Sequence, residues 1–552
     1  MHIVIPMSGT GNRFLEAGYS TPKPLIQIDG KPMIEHVIGL FPGESRFTFI
    51  CNRDHLAQTG MHALLKGVAP ECEIVPIAPH KKGPVFAVAQ AFDRIDDDEE
   101  VIVNYCDFSK YWDYGDFLRH TRSRGADGAI CAYRGFHPHM LGSTNYAFMR
   151  EKDQWMLEIK EKEPFTQNRM EEFASDGTYY FRRGAYVKKY FRQLMDEGIH
   201  IKDEYYVSLV YNLLRRDDLR ISIYEIRHML QWGTPGDLEE YLRWSRYFRR
   251  AVLARENIGP QPKSITLIPM AGRGSRFTAE RYRTPKPLIE ISGNPMILQA
   301  ACCLPASGKS IFVCLGEHLD GYPLAAAITT AYPNAKIVRI DSVTEGQACT
   351  CEIGLKGEDL ESPLLIGACD NGMSWDARKY RSLMEDPHVD AVAWSFRHHP
   401  SSRRNPQMYG WIKVDGDGTV RGVSVKKPIS DDPFNDHAVV GTFYFRKARY
   451  FLDALQGMYR KNVRINNEFY VDSCIDELAG NGLNAKVFEI DDYICWGTPD
   501  DLRTFEYWQS FFHKCPWHPY ALERDVTMDH EKVAEYEARY VKFHTSILSR
   551  NA

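Results

Sequence analysis

Two short stretches of this chain set glycines, an arginine and a lysine at one spacing that suits a phosphate. Ile-Pro-Met-Ser-Gly-Thr-Gly-Asn-Arg-Phe (5–14) leads to Thr-Pro-Lys-Pro-Leu-Ile (21–26), and Ile-Pro-Met-Ala-Gly-Arg-Gly-Ser-Arg-Phe (268–277) leads to the same six residues at 284–289. Glycines let backbone N–H groups come close to an anion, and a guanidinium and an ammonium neutralise it. Gly9, Gly11, Arg13 and Lys23 therefore form one candidate phosphate loop, and Gly272, Gly274, Arg276 and Lys286 a second. A carboxylate follows each loop: Asp107 ends an apolar run that starts at Val101, and Asp370 one that starts at Leu364. The C-terminal end of a central strand is where α/β sheets place ligands. A hard carboxylate oxygen beside a phosphate loop suits Mg²⁺.

The elements that must position these groups repeat with them. Gly9 and Gly272, Lys23 and Lys286, Gly83 and Gly346, and Asp107 and Asp370 are each 263 positions apart; Gly177 and Gly441, Glu204 and Glu468, and Gly233 and Gly497 are each 264. One net insertion over such a span means two copies of one large fold, not a solenoid of short units. Short apolar runs alternate with helical patterns, which predicts an α/β sandwich with a mostly parallel sheet in each copy. In the first copy strands are expected at His2–Ile5, Phe47–Cys51, Glu73–Ile77, Val101–Tyr105 and Gly128–Ala132, and helices at Met33–Leu40, Val85–Ala91 and Tyr114–Ser123. In the second, Ile337–Ile340, Pro363–Gly367 and Ala391–Phe396 take the strand role, and Asp415–Gly418 turns a hairpin. The expected division is 1–256, 264–514 and a helical tail at 515–552, where Val533, Tyr536, Tyr540 and Phe543 fall at helical spacing.

Composition narrows the partners. A net charge of −5, with acids and bases interspersed, argues against a nucleic-acid binder. No apolar run reaches the roughly 18 residues of a membrane span. The chain enters a strand pattern at once, so no signal segment is expected. Its 13 scattered cysteines fit free thiols in a reducing cytoplasm.

The order of motifs resembles the sugar-phosphate nucleotidyltransferases, the nucleotide-sugar pyrophosphorylases, over roughly residues 1–245 and 264–510. It rests on Gly-x-Gly-x-Arg-Phe, Pro-Lys-Pro-Leu, a later Gly-Pro or Gly-Gln turn and a strand-ending Asp. A Lys-Pro step, a Gly-x-Tyr/Phe-Tyr-Phe strand, an Asn/Asp-Glu-Tyr/Phe-Tyr turn and Gly-Thr-Pro-x-Asp-Leu complete it. The resemblance implies tandem Rossmann-like, GT-A-like domains, each transferring a nucleotidyl group from a nucleoside triphosphate to a sugar phosphate or related metabolite. Pyrophosphate would leave, and the product would feed polysaccharide or capsule assembly. Arg13, Lys23, Arg276 and Lys286 would handle the phosphates, with Gly9, Gly11, Gly272 and Gly274 cradling them. Gly83, Gly346 and Gln347 would lie along the nucleobase, and Asp107 and Asp370 would hold Mg²⁺. Lys162 and Lys427 would reach the acceptor phosphate, Gly177 and Gly441 would approach the sugar, and Glu204 and Glu468 would grip its hydroxyls. The base, the sugar and any homo-oligomer are left open.

Three departures bear on that expectation. Where the family commonly carries a second metal aspartate in Asp-x-Gly-Thr, this chain has Gln231-Trp-Gly-Thr and Cys495-Trp-Gly-Thr, with Asp491 or Asp492 the nearest substitutes in the second copy. The first copy has Lys162-Glu163-Pro164 where the second has Lys426-Lys427-Pro428, which leaves Lys160 or Lys162 to supply its cation. There is no hexapeptide-repeat tail, so no fused acetyltransferase is implied. A nucleotide-sugar-dependent glycosyltransferase, or a copy retained as a scaffold after losing its chemistry, remain the alternatives.

Overall fold

The computed structural model describes residues 1–143, 145–253 and 261–540. The chain forms two compact units. Among the described residues the first holds Met1–Arg246, Tyr507–Pro519 and 537–540; the second holds Tyr247–Glu506 and Tyr520–Tyr536.

The first unit is built on a nine-stranded sheet. Its order is Glu73–Ile77, Phe47–Asn52, His2–Met7, Val101–Asn104, Phe173–Phe181, Gly128–Tyr133, Ile221–Glu225, Trp155–Glu161, Ala147–Lys152. The first four of these run parallel, as does the pair Gly128–Tyr133 and Ile221–Glu225. The sheet is nevertheless mixed, not mostly parallel. Phe173–Phe181 runs antiparallel to both of its central neighbours, and the hairpin at the edge adds three more antiparallel pairings. Every residue of Phe173–Phe181 is buried, so its sequence shows no alternation that would betray its direction. The second unit has its own nine-stranded sheet. It starts Lys336–Ile340, Ser307–Leu315, Gln261–Met270, Leu364–Ile366, His437–Phe445, Ala391–Phe396, Ala485–Glu489, again with an antiparallel return strand in the middle. Strands expected from sequence fall in place to within one or two residues at most ends, and Tyr114–Ser123 is helical as expected. In each unit one apolar layer covers each face of the sheet.

The expected boundary near 256 lies among residues 254–260, outside the described residues; the units divide earlier, inside two helices. The helix Pro235–Ala251 begins in the first unit, but Phe248 belongs to the second, with ring centroids 5.8 Å from Phe505 and 4.6 Å from Tyr520. The helix Pro499–Lys514 does the reverse. Its Tyr507 hydroxyl donates to Met229 O at 2.7 Å in the first unit, where Trp508 packs 5.9 Å from Tyr241. Aromatic helix ends are thus buried in the unit that the other half of the sequence supplies. The tail is mostly turns, with residues 533–540 helical and Tyr536 and Tyr540 buried; Phe543 lies outside the described residues. Thr527 O accepts from Asn294 and Gln299, which docks the tail on the second unit. No described helix is long and apolar enough to cross a membrane.

One buried ion pair separates the units chemically. Lys110, three residues past Asp107, is fully enclosed and donates to Asp176 at 2.8 Å and Thr178 at 2.6 Å, with its ammonium 3.6 Å from the Trp112 ring. The same register in the second unit holds Met373 and Val440, and there the Thr442 hydroxyl has no partner among the described residues. Breaking a buried pair by removing one partner costs about 3–5 kcal/mol, whereas replacing both by apolar groups is often neutral. Lys110→Met alone is therefore expected to lower stability by about that amount. Lys110→Met with Asp176→Val, which copies the second unit, is expected to restore stability to near wild type in urea denaturation. A double variant no more stable than the single one would contradict this.

Candidate active site

The two glycine-rich turns are shaped by left-handed glycines. Gly11 (φ 70°) and Gly274 (φ 62°) open the short helices Asn12–Glu16 and Ser275–Ala279, a backbone that side-chain-bearing residues rarely adopt. In the second unit the glycine also leaves room for the lysine, since a Cβ on Gly274 would lie 3.0 Å from Lys286 Cβ; one on Gly11 would make an ordinary contact with Lys23 Cβ at 3.8 Å. Each lysine sits in a single 3₁₀ turn between two prolines and passes over the phenylalanine of the turn, 5.7 Å from Phe14 and 5.9 Å from Phe277. It ends on the strand-end carboxylate. Lys23 Nζ meets Asp107 Oδ2 at 2.5 Å and Gly233 O at 3.3 Å, and Lys286 Nζ pairs with Asp370 Oδ2. Burial works to lower the Lys286 ammonium, but the adjacent Asp370 outweighs it and raises the pKa. Arg13 and Arg276 are exposed beside these pairs, and no described carboxylate bridges to either.

In the first unit the pair opens into a cleft of about 250 Å³. Of the residues singled out from sequence, Arg13, Lys23, Asp107, Lys162, Gly177 and Glu204 line it. Glu204 is presented by a tight turn whose central residues, Lys202 and Asp203, are both left-handed; Asn466 and Asn467 do the same for Glu468. The Tyr206 hydroxyl donates to Glu204 and receives from Lys162 Nζ at 2.6 Å, which links acid, phenol and ammonium along one wall. Gly9 and Gly272 stand in open space. Gly83 and Gly346 (φ 82° and 122°) have a packing role: a Cβ would lie 2.6 Å from the Tyr205 nitrogen in one and 2.5 Å from the Phe469 oxygen in the other. Gln347 follows at the first helical position, half-buried.

Two expectations change. Lys426, not Lys427, occupies the place of Lys162. Both Lys162 and Lys426 are left-handed (φ 61° and 59°), both donate their backbone N–H to a tyrosine carbonyl, and both ammonium groups lie over a tyrosine ring, Tyr206 or Tyr470. Lys427 is exposed, and Glu163 is an exposed partner of Lys160. The second change concerns Asp492. Its Oδ2 accepts from Arg250 and Ser374, each at 2.6 Å, and it lies three strand residues, about 10 Å, from Cys495. It is therefore no ligand beside Asp370.

A Cβ on Gly233 would lie 2.6 Å from Gln231 Nε2 and 3.3 Å from Asp107 Oδ2, so an amide stands beside the carboxylate. On Gly497 the neighbours are Asp370 Oδ2 at 3.3 Å and Cys495 Sγ at 3.4 Å. Burial, then Asp501 and Asp370, pushes the Cys495 thiol well up, and it donates to Asp501. Among the described residues, Asp107 and Asp370 are the carboxylates that meet the lysine in each unit, and one such hard oxygen fits Mg²⁺ that shares substrate phosphates and keeps its waters. The sequence reading missed Glu161, which lines the cleft and accepts from Ser208 at 2.6 Å. Nothing in the local text marked Glu161, because its strand neighbours are themselves charged.

The model of the MobA-like NTP transferase domain matches residues 3–167. That stretch of the chain is similar to a nucleotidyltransferase domain. The match spans the first glycine turn, Lys23, Asp107 and Lys162, and it supports a nucleotidyltransferase enzyme. No curated protein matches the chain. Among solved structures, a nucleoside-diphosphate-sugar pyrophosphorylase from Vibrio cholerae RC9 is 22% identical, with 44% of this chain and 99% of that one covered and a TM-score of 0.37. The inositol-1-phosphate CTP transferase from T. maritima is 12% identical, with 45% and 96% covered and a TM-score of 0.36.

Glu161 gives the first unit a pH dependence. Burial raises its pKa from 4.5 to about 7, with Ser208 and Lys162 opposing and Glu204 adding. Folding then favours the neutral acid, so the unfolded state sheds the proton first and stability falls as pH rises from about 4.5 to about 7. Glu161→Gln, which cannot ionise, is expected to match wild type in urea midpoint near pH 4.5 and to exceed it increasingly up to pH 8. A gap that does not change with pH would refute the assignment.

Proposed function

We propose that both units are nucleotidyltransferase domains that move a nucleotidyl group from a nucleoside triphosphate to a sugar phosphate or related phosphorylated metabolite. The observation that carries this is the lysine–aspartate pair seated under a left-handed glycine turn in each unit. The acceptor phosphate oxygen attacks the α-phosphorus; a new P–O bond forms as the bond to the β-phosphate bridge oxygen breaks, and pyrophosphate leaves with that electron pair. Both reactants are anions, so the residues have to position them and offset their charge, and no covalent nucleophile is needed. Arg13 and Lys23 take the triphosphate in the first unit, and Arg276 and Lys286 in the second. Lys162 and Lys426 face the acceptor phosphate, and Glu204 and Glu468 its hydroxyls. Asp107 and Asp370 would hold Mg²⁺, which supplies charge neutralisation at the phosphates. The product is an activated donor of the kind polysaccharide assembly consumes.

The test is pyrophosphate release from a panel of triphosphates crossed with phosphorylated sugars and polyols, with products identified by mass. Chelation is expected to abolish release. Asp107→Asn with Asp370→Asn is expected to reduce turnover by about 10²–10³-fold without unfolding the chain. Full turnover in excess chelator would overturn the metal role. If one single variant loses all turnover and the other none, the second of these carboxylates serves a scaffold.

A further inference from the structure

The two units differ in what stands over the glycine of the return strand, and this inference rests on reading both as nucleotidyltransferase domains. In the first unit a Cβ on Gly177 would lie 3.0 Å from Phe108 Cε1 and 3.1 Å from Tyr105 Cδ2, and both rings line the cleft. Tyr105 packs 5.7 Å from Tyr179, and its hydroxyl accepts from Val207 N at 3.4 Å. It therefore spans from the return strand to the helix Val207–Arg216. In the second unit the matching positions are Ala368 and Asn371; Asn371 stands opposite Cys495 as Phe108 stands opposite Gln231. A Cβ on Gly441 would meet only Ala368 Cβ at 3.4 Å and Asn371 Nδ2 at 3.9 Å. Two rings are replaced by a methyl group and an amide. That amide is fixed by donation to Val440 O at 2.7 Å, and its Oδ1 is buried with no partner among the described residues. An unpaired buried acceptor costs about 1–3 kcal/mol, which a donor brought to this side chain would offset.

We propose that positions 105 and 108, and 368 and 371, set the size and polarity of the acceptor each unit takes. The first unit, closed by Tyr105 and Phe108, selects a compact phosphorylated acceptor. The second takes an acceptor whose ring carries a further substituent with an N–H or O–H, accommodated over Gly441 beside Asn371. A pocket shaped by apolar bulk discriminates by about 10–200-fold, and one that supplies a hydrogen bond by more.

Asp370→Asn protein reports the first unit and Asp107→Asn protein the second, each with glycerol 3-phosphate, glucose 1-phosphate and N-acetylglucosamine 1-phosphate as acceptors. In the Asp107→Asn background, Ala368→Tyr and, separately, Asn371→Phe are expected to raise KM for the acetamido acceptor about tenfold relative to glucose 1-phosphate. KM for the triphosphate should hold. In the Asp370→Asn background, Tyr105→Ala is expected to admit the acetamido acceptor. Triphosphate KM identifies any variant that has lost its fold, and the other two then decide. Transfer with a selectivity that none of the folded variants moves overturns this inference and leaves nucleotidyl transfer intact. Absence of transfer to every acceptor by both single-aspartate proteins and by the wild type overturns the parent reading, and this one with it.

Discussion

An ammonium and a carboxylate, brought together from positions 84 residues apart, organise each unit. Opposite charges only a few ångströms apart in a half-buried site attract far more strongly than they would in water. The rest of the site follows from letting that contact form. The turn above each lysine is bent by a left-handed glycine, and in the second unit a Cβ there would also crowd the Lys286 stem; the lysine stays at the strand end because two prolines fix its own turn and a phenylalanine lies beneath its stem. The loop after the Gln231 and Cys495 strands is glycine as well, and a Cβ on Gly233 or Gly497 would crowd the same carboxylates at 3.3 Å. In the proposed reaction this pair is the resting state. Incoming phosphates draw the lysine away, and the carboxylate that it leaves would turn to the cation that arrives with them.

Much of this was readable in the residues. The constant offset of 263 located matched glycines, lysines and aspartates, and those are the groups the structure gathers. Lys426 shows where motif reading failed: anchoring on Lys-Pro chose Lys427, while carrying the 264-residue offset from Lys162 lands on Lys426, the residue with the matching left-handed backbone. Sheet direction was hidden because a strand buried on both faces reads the same either way. The division inside the helices was hidden too, since the aromatic face of Pro499–Lys514 specifies burial but not what it is buried against.

The interiors show the same backbone solved with different chemistry. Lys110 and Asp176 in one unit stand where Met373 and Val440 stand in the other, so the charge is not required by the fold. A second exchange is more telling. In the first unit Glu161, on a strand, faces Ser208 on a helix, with Ala147 opposite in the hairpin. In the second the strand position is Val425, the helix position is Asp472, and the hairpin position is Gly410, where any Cβ would run into the Asp472 carboxylate. Burial raises both acids, Glu161 to about 7 and Asp472 to about 6, and the neighbouring lysine works against that rise in each.

A buried carboxyl opposes folding when it ionises, so drift alone would be expected to remove it wherever packing allows an apolar residue. Val425 shows that packing at the strand position does allow one. Yet the acid reappears on the facing helix, with a glycine opened to receive it. Three positions on three elements have changed together, and the quantity held constant is a carboxyl at one corner, beside the lysine that faces the acceptor in the proposed reaction. That constancy assigns the constraint to the corner and its neighbour lysine, not to either residue or to the stability of the fold.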